Sequence, residues 1–354
     1  MRPTYLLVFV LFLLSHGRSV SCGHEGHSGA GHRQTDVASI VSVANSSSAH
    51  QAHATPENFT ENVQATESGN VLHVESNGLP EHGMMLGIRS WQQQVPLPQP
   101  YTDRNAWQIP LNPRLAQQPI STRDNLMRGA IALAVNGVPI FNALNNRGED
   151  AYLAGELDRW GGHCGRGDDY HYHTAPVHLE KIVGQGKPIA FALDGFPIYG
   201  YTEPDGSPVK KLDAFNGHFD VAKNYHYHAS KKYSYINGGM RGEVRVRDDQ
   251  IVPQPRDAPI RPPMRPLRGA TITGFTVDGK TSTLKYKQNG RIGKVSYVEN
   301  GDGSFHFEYL SPLGQKATKT YQRREGGRRP PPREDRRERR RGNRPPKPPP
   351  HPPR

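Results

Sequence analysis

The chain has 354 residues, enough for one large domain or two ordinary ones; 34% are hydrophobic, and the 37 Gly and 32 Pro point to a loop-rich, turn-rich fold with disordered flanks. The formal charge of +12 does not make the folded part a polyanion binder, because residues 323–354 hold twelve Arg and one Lys against three Glu and one Asp and so carry most of it. Two cysteines, Cys22 and Cys164, exclude a disulfide framework.

In chain order, residues 1–21 read as a secretory signal peptide: Arg2, then an apolar run from Tyr5 to Leu14 too short to span a bilayer, then small residues. An exported protein, periplasmic, secreted or held in the cell envelope, is therefore expected. Ser19-Val20-Ser21-Cys22 resembles a bacterial lipobox, with Ser19 where an aliphatic residue is normal, so cleavage with or without a lipid anchor at Cys22 stays open. Residues 22–68 are polar and lack periodicity, as a disordered linker would; His24, His27 and His32 within it form a tract that can pick up Cu or Zn weakly. From Val71 apolar and polar residues alternate, and six prolines between Pro96 and Pro119 exclude long helices.

Residues 70–250 contain a duplication. Ile131-Ala-Leu-Ala-Val-Asn-Gly-Val-Pro-Ile-Phe141 matches Ile189-Ala-Phe-Ala-Leu-Asp-Gly-Phe-Pro-Ile-Tyr199, each reading as strand, Asn-Gly or Asp-Gly turn, strand. Farther on, Leu157-Asp158, Gly162-His163 and Tyr170-His171-Tyr172-His173 match Leu212-Asp213, Gly217-His218 and Tyr225-His226-Tyr227-His228 at constant spacing. Two copies are too few for a solenoid, and a pseudo-twofold β sandwich or barrel is the expected product. Only Ala151–Asp158 carries enough helix formers for a short helix. A Pro-rich linker at 251–267, a small antiparallel β meander at 268–321 and a disordered Arg/Pro-rich tail at 322–354 complete a mostly β chain.

The chemistry concentrates in the repeated tetrapeptide. On a strand, side chains two apart share a face, so His171 and His173 point one way and Tyr170 and Tyr172 the other, with the two His about 6.5–7 Å apart at Cα and able to reach one ion. If the duplication brings the two tetrapeptides face to face, His226 and His228 meet their counterparts and His163 and His218 join them. Neutral imidazoles suit Zn, Cu, Ni or Fe, and a site of His with few carboxylates argues against Ca or Mg. Asp168 and Asp169 are candidate acceptors that would orient those rings, a role the second copy lacks because Lys223 and Asn224 stand there. The competing reading is structural: Tyr and His also build hydrogen-bonded sheet interfaces. Whether the protein is an enzyme stays open, since no nucleophile elbow, P-loop, dinucleotide fingerprint or His-Glu-x-x-His motif occurs.

These motifs, together with Ser76-Asn-Gly-Leu-Pro-Glu-His82, resemble the YHYH domain family of secreted bacterial proteins over about residues 70–245. The resemblance implies export and a domain named for its motif, and brings no established activity. It also implies Cys near the Gly-His pairs, where this chain has only Cys164.

The leading expectation is thus a transition-metal site built from His163, His171, His173, His218, His226 and His228 or a subset, holding Cu or Zn. The alternative is a non-catalytic envelope or cell-surface module whose YHYH motifs are structural. For the Arg/Pro-rich tail, an anionic cell-surface polymer is a better-matched partner than nucleic acid, because no aromatics interleave its arginines for base stacking.

Overall fold

In a computed structural model, which describes residues 53–322, the duplication becomes visible as backbone pairing. The expected signal peptide, Cys22, the tract of His24, His27 and His32, and the Arg/Pro-rich tail lie outside the described residues. The strands, in chain order, are β1 (Gln64–Ser68), β2 (Val71–Glu75), β3 (Trp107–Pro110), β4 (Leu115–Ser121), β5 (Ala130–Ala134), β6 (Pro139–Phe141), β7 (Gly162–Cys164) and β8 (Tyr170–Tyr172). Then come β9 (Ala190–Ala192), β10 (Pro197–Tyr199), β11 (Gly217–Phe219), β12 (Tyr225–His228), β13 (Gly239–Gly242), β14 (Arg245–Arg247) and β15 (Gln250–Val252). The last five are β16 (Ala270–Asp278), β17 (Thr281–Gln288), β18 (Arg291–Glu299), β19 (Ser304–Leu310) and β20 (Lys316–Gln322).

The central sheet has eight strands in the order β11-β12-β10-β9-β5-β6-β8-β7. Its middle pair, β5 and β9, is antiparallel with Ala132 opposite Ala192, Leu133 opposite Phe191 and Ala134 opposite Ala190. Since Leu133 and Phe191 are equivalent positions of the two copies, a pseudo-twofold axis runs between them. Each copy then repeats the same steps outward: an antiparallel hairpin (β5–β6, β9–β10), a parallel step (β6–β8, β10–β12) and an antiparallel edge strand (β7, β11). The hairpin turns need glycine. Gly137 and Gly195 have φ of 75° and 95°, and a Cβ on Gly195 would lie 2.6 Å from the Pro110 carbonyl oxygen.

The sheet stays open, so the protein is mostly β, as expected, without being a closed barrel. Both faces of β5 and β9 are buried, which is why these strands read as unbroken apolar runs. The β meander forms as expected, five strands in sequential order, and shares one hydrophobic core with the rest. Its Tyr297 hydroxyl donates to the Pro96 carbonyl, and the Gly87 N–H donates to the Ile272 carbonyl.

Three local expectations need correction. Ala151–Asp158 forms turns: Gly155 takes φ of 68°, and the Asp150 side chain holds the Leu153 N–H, so the coil closes after one turn. The one described α-helix, Glu180–Val183, is a single turn, and no described helix is long and apolar enough to cross a membrane. Strand β1 falls within the stretch 22–68 expected to be linker, because pairing with β2 supplies the backbone partners that its polar sequence does not advertise. The 251–267 stretch is extended but packed rather than free: Arg261 is buried, and the Leu267 N–H donates to the Trp91 carbonyl.

Candidate metal centres

Each tetrapeptide strand sorts its residues as the pleat demands, Tyr to one side and His to the other. The Tyr side is satisfied by carboxylates and amides. Tyr170 donates to Asp158 at 2.8 Å, Tyr225 to Asp213 at 2.9 Å and Tyr227 to Asp194 at 2.6 Å. Tyr172 accepts from the Asn136 amide and bonds Nε2 of His82 at 2.7 Å. The glycine that precedes His163 has a steric reason: a Cβ on Gly162 would lie 2.5 Å from the Tyr170 hydroxyl.

On the other side, His163 stands opposite His171 across the β7–β8 ladder, and His173 lies two residues farther on. The His163 and His173 Nε2 atoms are 3.0 Å apart, and those of His171 and His173 are 3.2 Å apart. Four ligands around zinc at about 2.0–2.1 Å lie about 3.3 Å from one another, so these gaps have the size a shared ion requires. The far nitrogens show which tautomer is present. Nδ1 of His173 is 2.5 Å from the Asn142 carbonyl, and Nδ1 of His171 lies 3.1 Å from the Asp169 carbonyl and 3.2 Å from its carboxylate. Carbonyl oxygens only accept, so both rings carry their proton on Nδ1 and turn an Nε2 lone pair toward the common point. Asp168 does not share this role with Asp169. It pairs with Arg261 instead, at 2.6 Å.

The second trio repeats the plan with one addition. His218 stands opposite His226, the His218 and His228 Nε2 atoms are 3.2 Å apart, and Nδ1 of His228 donates to the Gly200 carbonyl at 3.1 Å. Glu203 enters with its carboxylate 3.1 Å from His218, 3.3 Å from His226 and 3.5 Å from His228. The result is a four-residue N3O group, beside a three-residue N3 group in the first copy. Glu203 sits on the turn after β10. Nothing about that turn marks a ligand, but laying the copies over each other places Glu203 on Asn145, and such a mismatch inside an otherwise matched repeat is the signal that could have found it.

All six candidate His residues therefore gather, but in two trios rather than one. The axis between β5 and β9 sends the tetrapeptide strands outward, and β8 and β12 are separated by β6, β5, β9 and β10. At about 4.8 Å per strand that is on the order of 24 Å along the sheet, so the condition under which the two His faces would meet is not fulfilled. Cys164 joins neither trio: it is buried, unpaired and alternates to the Tyr side, and burial pushes its thiol well above the usual range.

Burial also governs the histidines. It holds His163 and His226 below the ordinary imidazole range, His173 down to about 3 and His228 down to about 4, with neighbouring rings adding in the same direction. Burial works against ionising Glu203 as well, but the Lys210 N–H and the adjacent His228 and His218 hold it below the usual carboxylate range. These directions set the sign of the pH effect. His173 and His228 have folded pKa values below the unfolded value of about 6.5, so their stability contribution is complete above pH 6.5 and is lost as pH falls toward 4 and 3. Four carboxyls raised by burial, Asp158, Asp168, Glu180 and Asp194, the last to about 6, work in the opposite direction, but against six lowered histidines, since burial also lowers His82 and takes His178 down to about 4. Metal-free protein is therefore expected to have a lower denaturation midpoint at pH 5 than at pH 7.5. Urea titrations at the two values check this, and a higher midpoint at pH 5 would contradict it.

Comparison with known proteins adds one match. The family model described as YHYH protein matches residues 106–211, from before β3 to beyond β10, and includes the first tetrapeptide. The chain thus carries a YHYH domain, while the second tetrapeptide at 225–228 lies beyond the match. No curated protein and no solved structure matches.

Proposed function

We propose that this chain is an exported protein that binds two transition-metal ions, Cu or Zn, one in each half of its duplicated domain. The observation that carries the reading is the first trio. Two of its rings spend their protons on Nδ1, and three Nε2 atoms crowd around one point. The lone pairs of His171 and His173, facing each other at 3.2 Å, repel unless a cation lies between them, and burial makes a proton on His173 a poor choice at neutral pH. A divalent ion bound by neutral imidazole is the remaining stabiliser. Outer partners suit it too, since Asp169 and the Asn142 and Gly200 carbonyls orient rings in the way metal-bound histidines are usually held.

The structural reading draws on the second trio, where Glu203 satisfies ring N–H groups without any ion. It does not account for the first, which has no carboxylate among the converging atoms. Export, and attraction of the Arg/Pro-rich tail to an anionic surface polymer, belong to the proposal and rest on the sequence alone.

The test is metal analysis of purified protein, followed by chelation and calorimetric titration with Zn(II) or Cu(II). Bound metal, or uptake that raises the melting temperature, is expected. Protein that is metal-free, takes up neither ion and shows no thermal shift would overturn the proposal.

A further inference from the structure

The two trios differ in one respect that the matched repeat makes easy to isolate, and its consequence rests on the reading that both hold metal. In the second copy Glu203 caps the three imidazoles. In the first copy the equivalent residue, Asn145, is engaged elsewhere. Its side-chain oxygen accepts from the Arg147 and Glu149 N–H groups at 2.9 and 3.1 Å, and its amide nitrogen lies 3.1 Å from the Glu149 carboxylate and 3.3 Å from that of Glu156. The loops themselves superpose in hydrogen bonding: the N–H of residue 145 donates to the carbonyl of Glu149, as that of residue 203 donates to Ser207. The difference lies in the side chain, not in the path of the backbone.

From this we infer that the two centres divide their labour: the second is closed by Glu203, and the first keeps a coordination position for an exogenous ligand, either water or a small monodentate anion. Three protein donors plus an open position is the arrangement of zinc sites that exchange ligands, whereas four protein donors make a closed, structural site. Charge points the same way. Three neutral imidazoles leave the full +2 of a divalent ion uncompensated, since Asp169 bonds Nδ1 of His171 and stays outside the donor set. The carboxylate of Glu203 removes half of that charge in the second centre. An anion therefore gains more at the first centre than at the second.

Cobalt(II) reports coordination directly through its visible absorption, and azide serves as the monodentate anion. The full chain loaded with two Co(II) per molecule is expected to change its spectrum on azide addition with an amplitude of one ion, not two. The double variant His171→Ala/His173→Ala should still hold one Co(II) and lose the azide response. Glu203→Ala should open the second centre and about double the response of the otherwise unaltered chain. Two bound ions that both respond, or neither, would overturn the division of labour while leaving metal binding intact. An azide response that survives loss of His171 and His173 would do the same. Failure to take up Co(II) at the first trio overturns this inference and the metal-binding proposal together.

Discussion

Replacing Asp158 by Ala is expected to cost about 4 kcal/mol or more, several times the cost of the same change at its repeat counterpart, Asp213. Asp158 is buried and accepts four bonds: from the N–H groups of Met85, Trp160 and Gly162 and from the Tyr170 hydroxyl. Each donor left unpaired in the interior costs about 1–3 kcal/mol, so losing the acceptor of four threatens a stability that rarely exceeds about 15 kcal/mol. Asp213 has three of the same donors, from Phe215, Gly217 and Tyr225, but is exposed. Water replaces its carboxylate cheaply. The reason for the difference is the segment around Met85, itself buried, which covers the first copy. Denaturation curves of the two variants decide the matter, and equal losses would show that the covering segment contributes nothing.

Arg261→Ala should destabilise by about 3–5 kcal/mol, the usual result of orphaning one member of a buried ion pair. Its guanidinium bonds both oxygens of Asp168, at 2.9 and 2.6 Å, donates to the Gln93 carbonyl and lies over the Phe307 ring. Burial already raises the pKa of Asp168 against the pull of the arginine, so without that partner the carboxyl becomes costlier to ionise. A carboxyl whose folded pKa exceeds its unfolded value loses stability as pH rises through that window, so the penalty of the variant should be smaller at pH 5 than at pH 7.5. Asp168 adjoins Asp169, which orients His171. The variant should therefore weaken metal binding at the first trio and spare the second. A penalty independent of pH, or equal loss at both trios, would count against this role for the pair.

Much of the architecture is legible in the sequence. Matching Ile131–Phe141 to Ile189–Tyr199 reveals two hairpins, and the alternation in Tyr170–His173 assigns His and Tyr to opposite faces. What periodicity cannot show is how two equivalent hairpins pair. Had they met through their tetrapeptide strands, the trios would have faced each other; they meet through β5 and β9, whose burial on both faces makes them the natural centre, and the trios go to opposite ends. Glu203 is hidden for a related reason, being a candidate ligand on a turn more than ten residues before the strand it serves. Arg261, in a stretch that reads as a spacer, is tied down by partners far off in sequence, Asp168 at 93 positions and the Gln93 carbonyl at 168.

The number of metal ions per chain separates two centres from one. Native mass spectrometry of Zn(II)-loaded protein should show two ions on the unaltered chain, one after His171→Ala/His173→Ala and one after His226→Ala/His228→Ala. A single ion on the unaltered chain, lost with either pair, would mean that the two trios act as one site and would contradict the separation that the central sheet imposes.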